Sequence, residues 1–500
     1  MTEWQSTIAP PALARLLRTA RRNGPERPAY RALAGQLRLL VAEGRLPVGT
    51  RLPAERELAG ALTLSRTTIA AAYEDLRETG FLHSRRGAGS WTALPDGCRP
   101  PADALFPLPP GDDGRLVDLG VASPTAPQPL FGEAAARAVE QLPAYTNGHG
   151  HYPSGLPVLR ETVARRFTDR GLPTTPDQIL VTSGAMSALD LLFHTLLRPG
   201  ERAAVESPGY AHALGALRRA GARLVAVPQQ RDTPQALPRW DLAEWRQVLH
   251  GAAPRLGYVV PDFHNPTGAL IDEAQRRELL AAARAAGTLL VVDETMAELA
   301  WNVPADSLPR PVAALDRDAQ VVTVGSASKL AWGGLRVGWL RAAPALVRRL
   351  AAERLRRDHG TPVLEQLICA QLLGERVDEL RELRLAELRA AAGALLPALR
   401  ERLPHWRFAE PAGGITLWLD TGGLSGAALA RAGERTGVRV AAGSLFGVDG
   451  AFEGYVRLPL TVPPAAAERT VERLAATAEL ALRDGGWAAG GPGEAAAPAF

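Results

Sequence analysis

Lysine is all but missing from this chain. Of the 57 Lys and Arg residues among its 500, only Lys329 is lysine, and every other one is arginine. A guanidinium stays charged at any accessible pH and is a poor nucleophile, whereas a primary amine can lose its proton and condense with an aldehyde. The one position that keeps an amine is therefore a candidate for chemistry that arginine cannot perform. An arginine-rich chain could also keep a stray lysine by chance, so the neighbours of Lys329 decide.

Cysteine is scarce too. Cys98 lies in a proline-rich stretch and Cys369 in an apolar helical pattern, and these two are too few and too far apart for a disulfide framework or a metal cluster. No metal site is expected, and both cysteines read as structural bystanders. Long apolar runs are absent: none approaches the roughly 18 residues that cross a bilayer. The start, "MTEWQSTIAPPALARLLRTARRNG", has no apolar signal core or cleavage site. No membrane partner and a cytoplasmic location are expected. No internal repeat is found. What remains is globular, at 46% hydrophobic and 22% charged, and too long for one ordinary core, so two or more domains are expected.

Charge is unevenly placed. Residues 1–92 hold fourteen arginines against eight acidic residues, a surplus of six in a chain whose net charge is +4, so the remainder is slightly acidic. A basic module joined to a larger acidic one suits a polyanion partner, although a solvated charged face gives the same surplus.

Within the basic part, Tyr30, Leu33, Leu37 and Val41 recur at helical spacing until "GRLPVGTRLP" breaks the pattern. Pro53 suits the first turn of a second helix with Leu58 and Leu62 inward. "SRTTIAAAYEDLRETG" gives a third, with Ile69, Tyr73 and Leu76 on one face. "FLHSRRGAGSWTA" follows as two short strands around a turn. Three helices and a basic hairpin make a winged helix-turn-helix plan, in which the start of the last helix meets base edges. Those residues are Ser65, Arg66, Thr67 and Thr68. Arg66 can pair with guanine, the hydroxyls can bond phosphates or bases, Arg56 lies one helix earlier for the backbone, and Arg85 and Arg86 lie in the wing. Ser and Thr are also ordinary helix caps, which is the plainer reading of "SRTT".

The organisation expected is an N-terminal arm (1–27), the winged helix (28–92), a linker (93–116) dense in Pro, Gly and Asp, a large domain (117–484) and a disordered tail (485–500). In the large domain, apolar runs such as "QILVT", "ERAAVES", "LGYVVP", "GTLLVVDE" and "AQVVTVGS" alternate with helical stretches. This predicts an α/β fold with a mostly parallel sheet and, from about 360, a smaller α+β lobe.

Lys329 ends one such run in "GSASK", with Ser326 and Ser328 beside it and Arg336 following in "GGLRVG". Ser183, Gly184 and Ala185 form a turn between a strand and a helix, whose start offers backbone donors to a phosphate. Asn265 follows one strand and Asp293 ends another. Each signal is weak alone. Together they supply what pyridoxal phosphate needs: an amine for its aldehyde, an anion beside its ring nitrogen, a donor for its phenolic oxygen and a phosphate cup.

"LPAERELA", "SRTT" and "AYEDLRETG" with the basic wing closely resemble the GntR family of bacterial regulators, over residues 28–92. The order of Ser183, Asn265, Asp293 and Lys329 resembles that of the fold-type I aminotransferases, over residues 117–484. The resemblance implies Tyr210, in "ESPGY", over the cofactor ring and Arg457, in "GYVRLPL", on a substrate carboxylate. The fusion is similar to the MocR/GabR regulators. That likeness implies a pyridoxal 5′-phosphate-binding transcription regulator, a double-stranded DNA operator, an amine, amino acid or vitamin B6 vitamer as effector, and a homodimer with sites at the subunit interface. Two positions depart from the pattern. Met296 stands where a tyrosine commonly donates to the phenolic oxygen, and Tyr152 lies nearer its glycine than the usual aromatic, so it is not assigned to the phosphate. Three readings compete: a sensor, a working aminotransferase and an empty dimerisation scaffold. Lys329 and Asp293 weigh against the scaffold, and the basic module weighs against a plain enzyme.

Overall fold

The computed structural model describes residues 7–19, 29–85, 89–95, 116–233 and 235–487. In the N-terminal part, helices α1 (Pro10–Thr19), α2 (Ala29–Ala42), α3 (Glu55–Leu62) and α4 (Arg66–Glu78) precede a hairpin of β1 (Leu82–Arg85) and β2 (Gly89–Thr92). Leu33, Leu37 and Val41 of α2 meet Leu58 of α3 and Ile69, Tyr73 and Leu76 of α4 in one core, as their spacing requires. The expected arm contributes more than an arm, because Leu13 and Leu17 of α1 enter the same core. Pro53 lies before α3 rather than within it, since Ala54 is the cap residue. Its carbonyl accepts the Tyr73 hydroxyl at 2.9 Å, which ties the entry of α3 to α4.

The large domain holds eight strands in the order β4-β11-β10-β9-β8-β5-β6-β7. Their ranges are β4 (Ile179–Thr182), β5 (Arg202–Ser207), β6 (Arg223–Gln230), β7 (Arg239–Trp240), β8 (Leu256–Val259), β9 (Leu289–Asp293), β10 (Val321–Ser326) and β11 (Gly338–Arg341). Neighbours from β10 through β6 pair parallel, while β11 runs antiparallel between β10 and β4. Every residue of β4, β8 and β10 is buried, the signature of a sheet covered by helices on both faces. The carboxyl ends of β4, β5, β8, β9 and β10 therefore come to one edge, where an open α/β sheet places its ligands.

A smaller sheet, in the order β12-β14-β13-β3, forms the second lobe: β3 (Val117–Leu119), β12 (Thr416–Asp420), β13 (Val438–Ala442) and β14 (Tyr455–Pro459). β3 comes from the other end of the chain and pairs parallel with β13. The tail expected from 485 is ordered at its start, where Trp487 bridges to Leu424. Among the described residues, no helix is long and apolar enough to cross a membrane.

Candidate functional site

The strand ends enclose an open cleft of about 730 Å³, lined among others by Ala185, Tyr210, Asn265, Asp293, Ser326, Ser328, Lys329 and Arg336. Residues separated by up to 213 positions, from Ser123 to Arg336, thus line one cleft, and the only lysine lies among them.

Lys329 follows β10, and its Nζ donates to the carbonyl of Ala122 at 2.7 Å. Burial lowers its pKa to about 8, the positive charge of Arg457 adding to the shift and the Asp293 carboxylate opposing it. The amine is thus nucleophilic at far lower pH than an ordinary lysine.

Asp293 closes β9 on the cleft floor. One carboxylate oxygen accepts the Tyr258 hydroxyl at 2.8 Å and the other the Thr295 amide at 3.0 Å. Burial raises its pKa in spite of these hydrogen bonds. Its direct partners are neutral donors, so a cation brought against it would be strongly held. Asn265 lines the same wall, and its Oδ1 is buried with no hydrogen-bond partner. Tyr210 caps the helix Ala211–Arg219, and burial next to Asp293 pushes its phenol up to about 12.

Gly184 caps the helix Ala185–Leu196 at φ 95°, a backbone conformation that favours glycine. A Cβ there would lie 2.6 Å from Nη2 of Arg336, so the absent side chain is what lets the guanidinium reach the helix start. That nitrogen donates to the Ser183 carbonyl at 3.0 Å. No acidic residue occupies the first turn, so its free N–H groups and Arg336 make an anion cradle. Ser326 and Ser328 bond each other at 2.8 Å alongside.

Arg457 reaches the area from β14 of the small lobe. It is buried, bonds the Gly120 carbonyl through Nη2, lies 5.6 Å above the Phe446 ring and leaves Nε without a partner. Burial lowers its pKa to about 10, so it remains a cation at neutral pH. Met296 is buried and lines the cleft; Tyr152 is absent from the lining and packs edge-on to Tyr145 instead. Ser123, Met186, Val260, Thr295 and Tyr258 were not singled out in the sequence. Tyr258 reads there as one more apolar strand residue in "LGYVVP", and only the β8–β9 pairing reveals its bond to Asp293.

At the other end of the chain, Ser65 caps α4, accepting the Thr68 amide at 3.0 Å and bonding the Thr67 and Thr68 hydroxyls. The plainer role of "SRTT" is thus present, and it leaves the side chains of Arg66 and Thr67 exposed at the helix start. Arg66 leans on Glu55 at 3.4 Å with 74% of its side chain exposed, a weak contact that another acceptor can replace. Arg56 and Arg85 are exposed as well, whereas Arg86 lies outside the described residues.

The class I and II aminotransferase family matches residues 117–474, and the gntR family of bacterial regulatory proteins matches residues 29–91. The chain is 30% identical to the HTH-type transcriptional regulator TauR of Rhodobacter capsulatus, over 66% of this chain and 72% of that protein. It is 28% identical to the probable rhizopine catabolism regulatory protein MocR of Rhizobium meliloti, over 76% of this chain and 78% of that one. Its fold matches LysN, an alpha-aminoadipate aminotransferase of Thermus thermophilus complexed with N-(5′-phosphopyridoxyl)-L-leucine, at a TM-score of 0.67 and 28% identity, covering 74% of this chain and 94% of that one. The chain belongs to the class I and II aminotransferase family and carries, ahead of that domain, the helix-turn-helix of a GntR-type regulator.

Proposed function

We propose that this protein is a pyridoxal phosphate-dependent transcription regulator whose aminotransferase-like domain senses an amine, an amino acid or a B6 vitamer and whose winged helix binds operator DNA as part of a homodimer. One observation carries this reading: the only lysine of the chain shares a cleft with a buried carboxylate, an amide side chain, and a helix start with an adjoining guanidinium.

The donor set fits the cofactor group by group. Pyridoxal phosphate, when bound, supplies an electrophilic carbon and an electron-withdrawing ring. Lys329 holds that carbon, Asp293 faces the ring nitrogen, Asn265 serves the phenolic oxygen, and Tyr210 covers the ring. Ser183, Gly184, Ala185, Ser326, Ser328 and Arg336 take the phosphate, and Arg457 takes the carboxylate of an incoming amino acid. The adduct in the LysN structure, a phosphopyridoxyl group joined to leucine, supports a site of this composition.

A second reading, a regulator that also completes transamination, is favoured by the intact Lys329 and Asp293 and by the aminotransferases among its relatives. Met296 favours sensing, because a thioether at the cleft wall cannot donate to the cofactor's phenolic oxygen.

The test is to titrate purified protein with pyridoxal phosphate and then with a panel of amines, recording the visible spectrum and the affinity for its own upstream DNA. Paired responses support the regulator, and spectral turnover with constant DNA affinity supports the enzyme alone.

A further inference from the structure

A continuous set of contacts runs from the cleft to the DNA-binding module. It starts at Tyr210, whose neighbour Gly209 donates its N–H to the Phe446 carbonyl at 2.9 Å. The Phe446 ring lies under Arg457 and meets Trp418 edge-on at 5.6 Å. Trp418 in turn meets Phe452 at 5.9 Å and stacks on Tyr455 at 5.2 Å. Phe452 then leaves its own lobe: its N–H donates to the carbonyl of Ala42, the last residue of α2, at 2.6 Å.

Two backbone features show that this last contact is tightly specified. Phe452 has φ 72°, a left-handed conformation that a bulky residue keeps only when its surroundings impose it. Gly44 faces the ring, and a Cβ added to it would lie 2.4 Å from Cζ of Phe452. Leu94, at the end of the wing, packs on the same aromatic cluster.

We infer that the segment Gly443–Tyr455 couples the cleft to the winged helix, with Phe452 seated on the end of α2 as the contact that ligand binding strengthens. This rests on the cofactor reading above. A ligand moves a distant element only if it favours one of two arrangements, and here a ring held against Tyr210 favours the arrangement in which the Gly209 to Phe446 bond is kept. α2 packs on α4, so a firmer seat at Ala42 reaches the helix that carries Arg66 and Thr67.

Amide hydrogen exchange on the full chain, with and without pyridoxal 5′-phosphate, tests this directly. The reporters are the amides of Glu43, Gly44 and Leu46, bonded to the carbonyls of Leu39, Val41 and Leu40. In the wild type, cofactor should slow these amides at least threefold, together with residues 443–455. Phe452→Ala and Gly44→Ala attack the contact from its two sides. Both should keep the visible cofactor band and the slowing at 443–447, and lose the slowing at 43–46. Agreement between them separates coupling from local unfolding of either domain. A wild type that shows the band with no change at 43–46, or variants that keep the full change, would overturn the coupling. Absence of the band in the wild type would instead overturn the cofactor reading.

Discussion

The Nζ of Lys329 is bonded to the carbonyl of Ala122, three residues after the β strand that opens the large domain. The neighbouring Gly120 carbonyl is taken by Arg457. The two cations assigned to cofactor and effector are thus both engaged by one short segment next to the linker, and ligands that claim them compete with that segment. Conversion of the amine to a covalent link removes its bond to Ala122. Reduction of the cofactor-loaded protein with borohydride should fix the label to the peptide containing Lys329, and Lys329→Ala should show no visible band.

The lowered pKa of this amine sets a pH dependence for cofactor capture. Only the neutral amine attacks, so the rate should rise with pH, level off above about 8 and fall about tenfold per unit below it. At pH 7 the neutral fraction is roughly three hundred times that of a lysine at its ordinary value of 10.5. Stopped-flow absorbance between pH 6 and 10 measures this, and a rate still climbing at pH 10 would mean an unperturbed amine.

Asp293→Asn keeps the shape and one acceptor but removes the charge. Loss of a charge-assisted hydrogen bond of about 1.5–3 kcal/mol should weaken cofactor binding about ten- to a hundredfold. Equilibrium dialysis reads the change, and an affinity equal to wild type would place the ring nitrogen elsewhere.

The fold is largely legible because the buried strands are short apolar runs bounded by Gly, Pro and Asp, and because Asp293 and the Ser183 turn sit at strand ends while Lys329 and Asn265 follow strands within six residues. Three things escaped. Residues 120–123 look like a proline-flanked connector, and nothing local in the chain says that their carbonyls meet Lys329 and Arg457. Tyr258 carries the periodicity of a buried strand and hides its hydroxyl there. The strand "VRVAA" (438–442) carries little signal of its own, because it follows a helix within two residues and pairs with β3, more than 300 residues away.

Met296 gives a further test of the cleft. If residue 296 faces the cofactor's phenolic oxygen, the phenol of Met296→Tyr would donate to it, stabilise its anion and lower the pH at which the visible band titrates. An equal or higher value would show that residue 296 does not face that oxygen.

On the DNA side, Arg66→Ala should cost about 1–3 kcal/mol and remove the preference at one base pair, whereas Arg85→Ala should weaken all sequences alike and flatten the salt dependence. Competition binding with single-substituted operators distinguishes these. Unchanged discrimination in Arg66→Ala would move base reading to Thr67 or Thr68.

Cofactor binding and DNA binding joined in one molecule must obey reciprocity. If pyridoxal phosphate changes DNA affinity by some factor, DNA must change cofactor affinity by the same factor. Both constants should be measured on wild type and Lys329→Ala, with a selected operator fragment, at fixed salt. Equal factors differing from one are expected in the wild type, and a factor of one in Lys329→Ala. A wild-type protein that binds both ligands tightly with a factor of one in each direction would contradict their coupling.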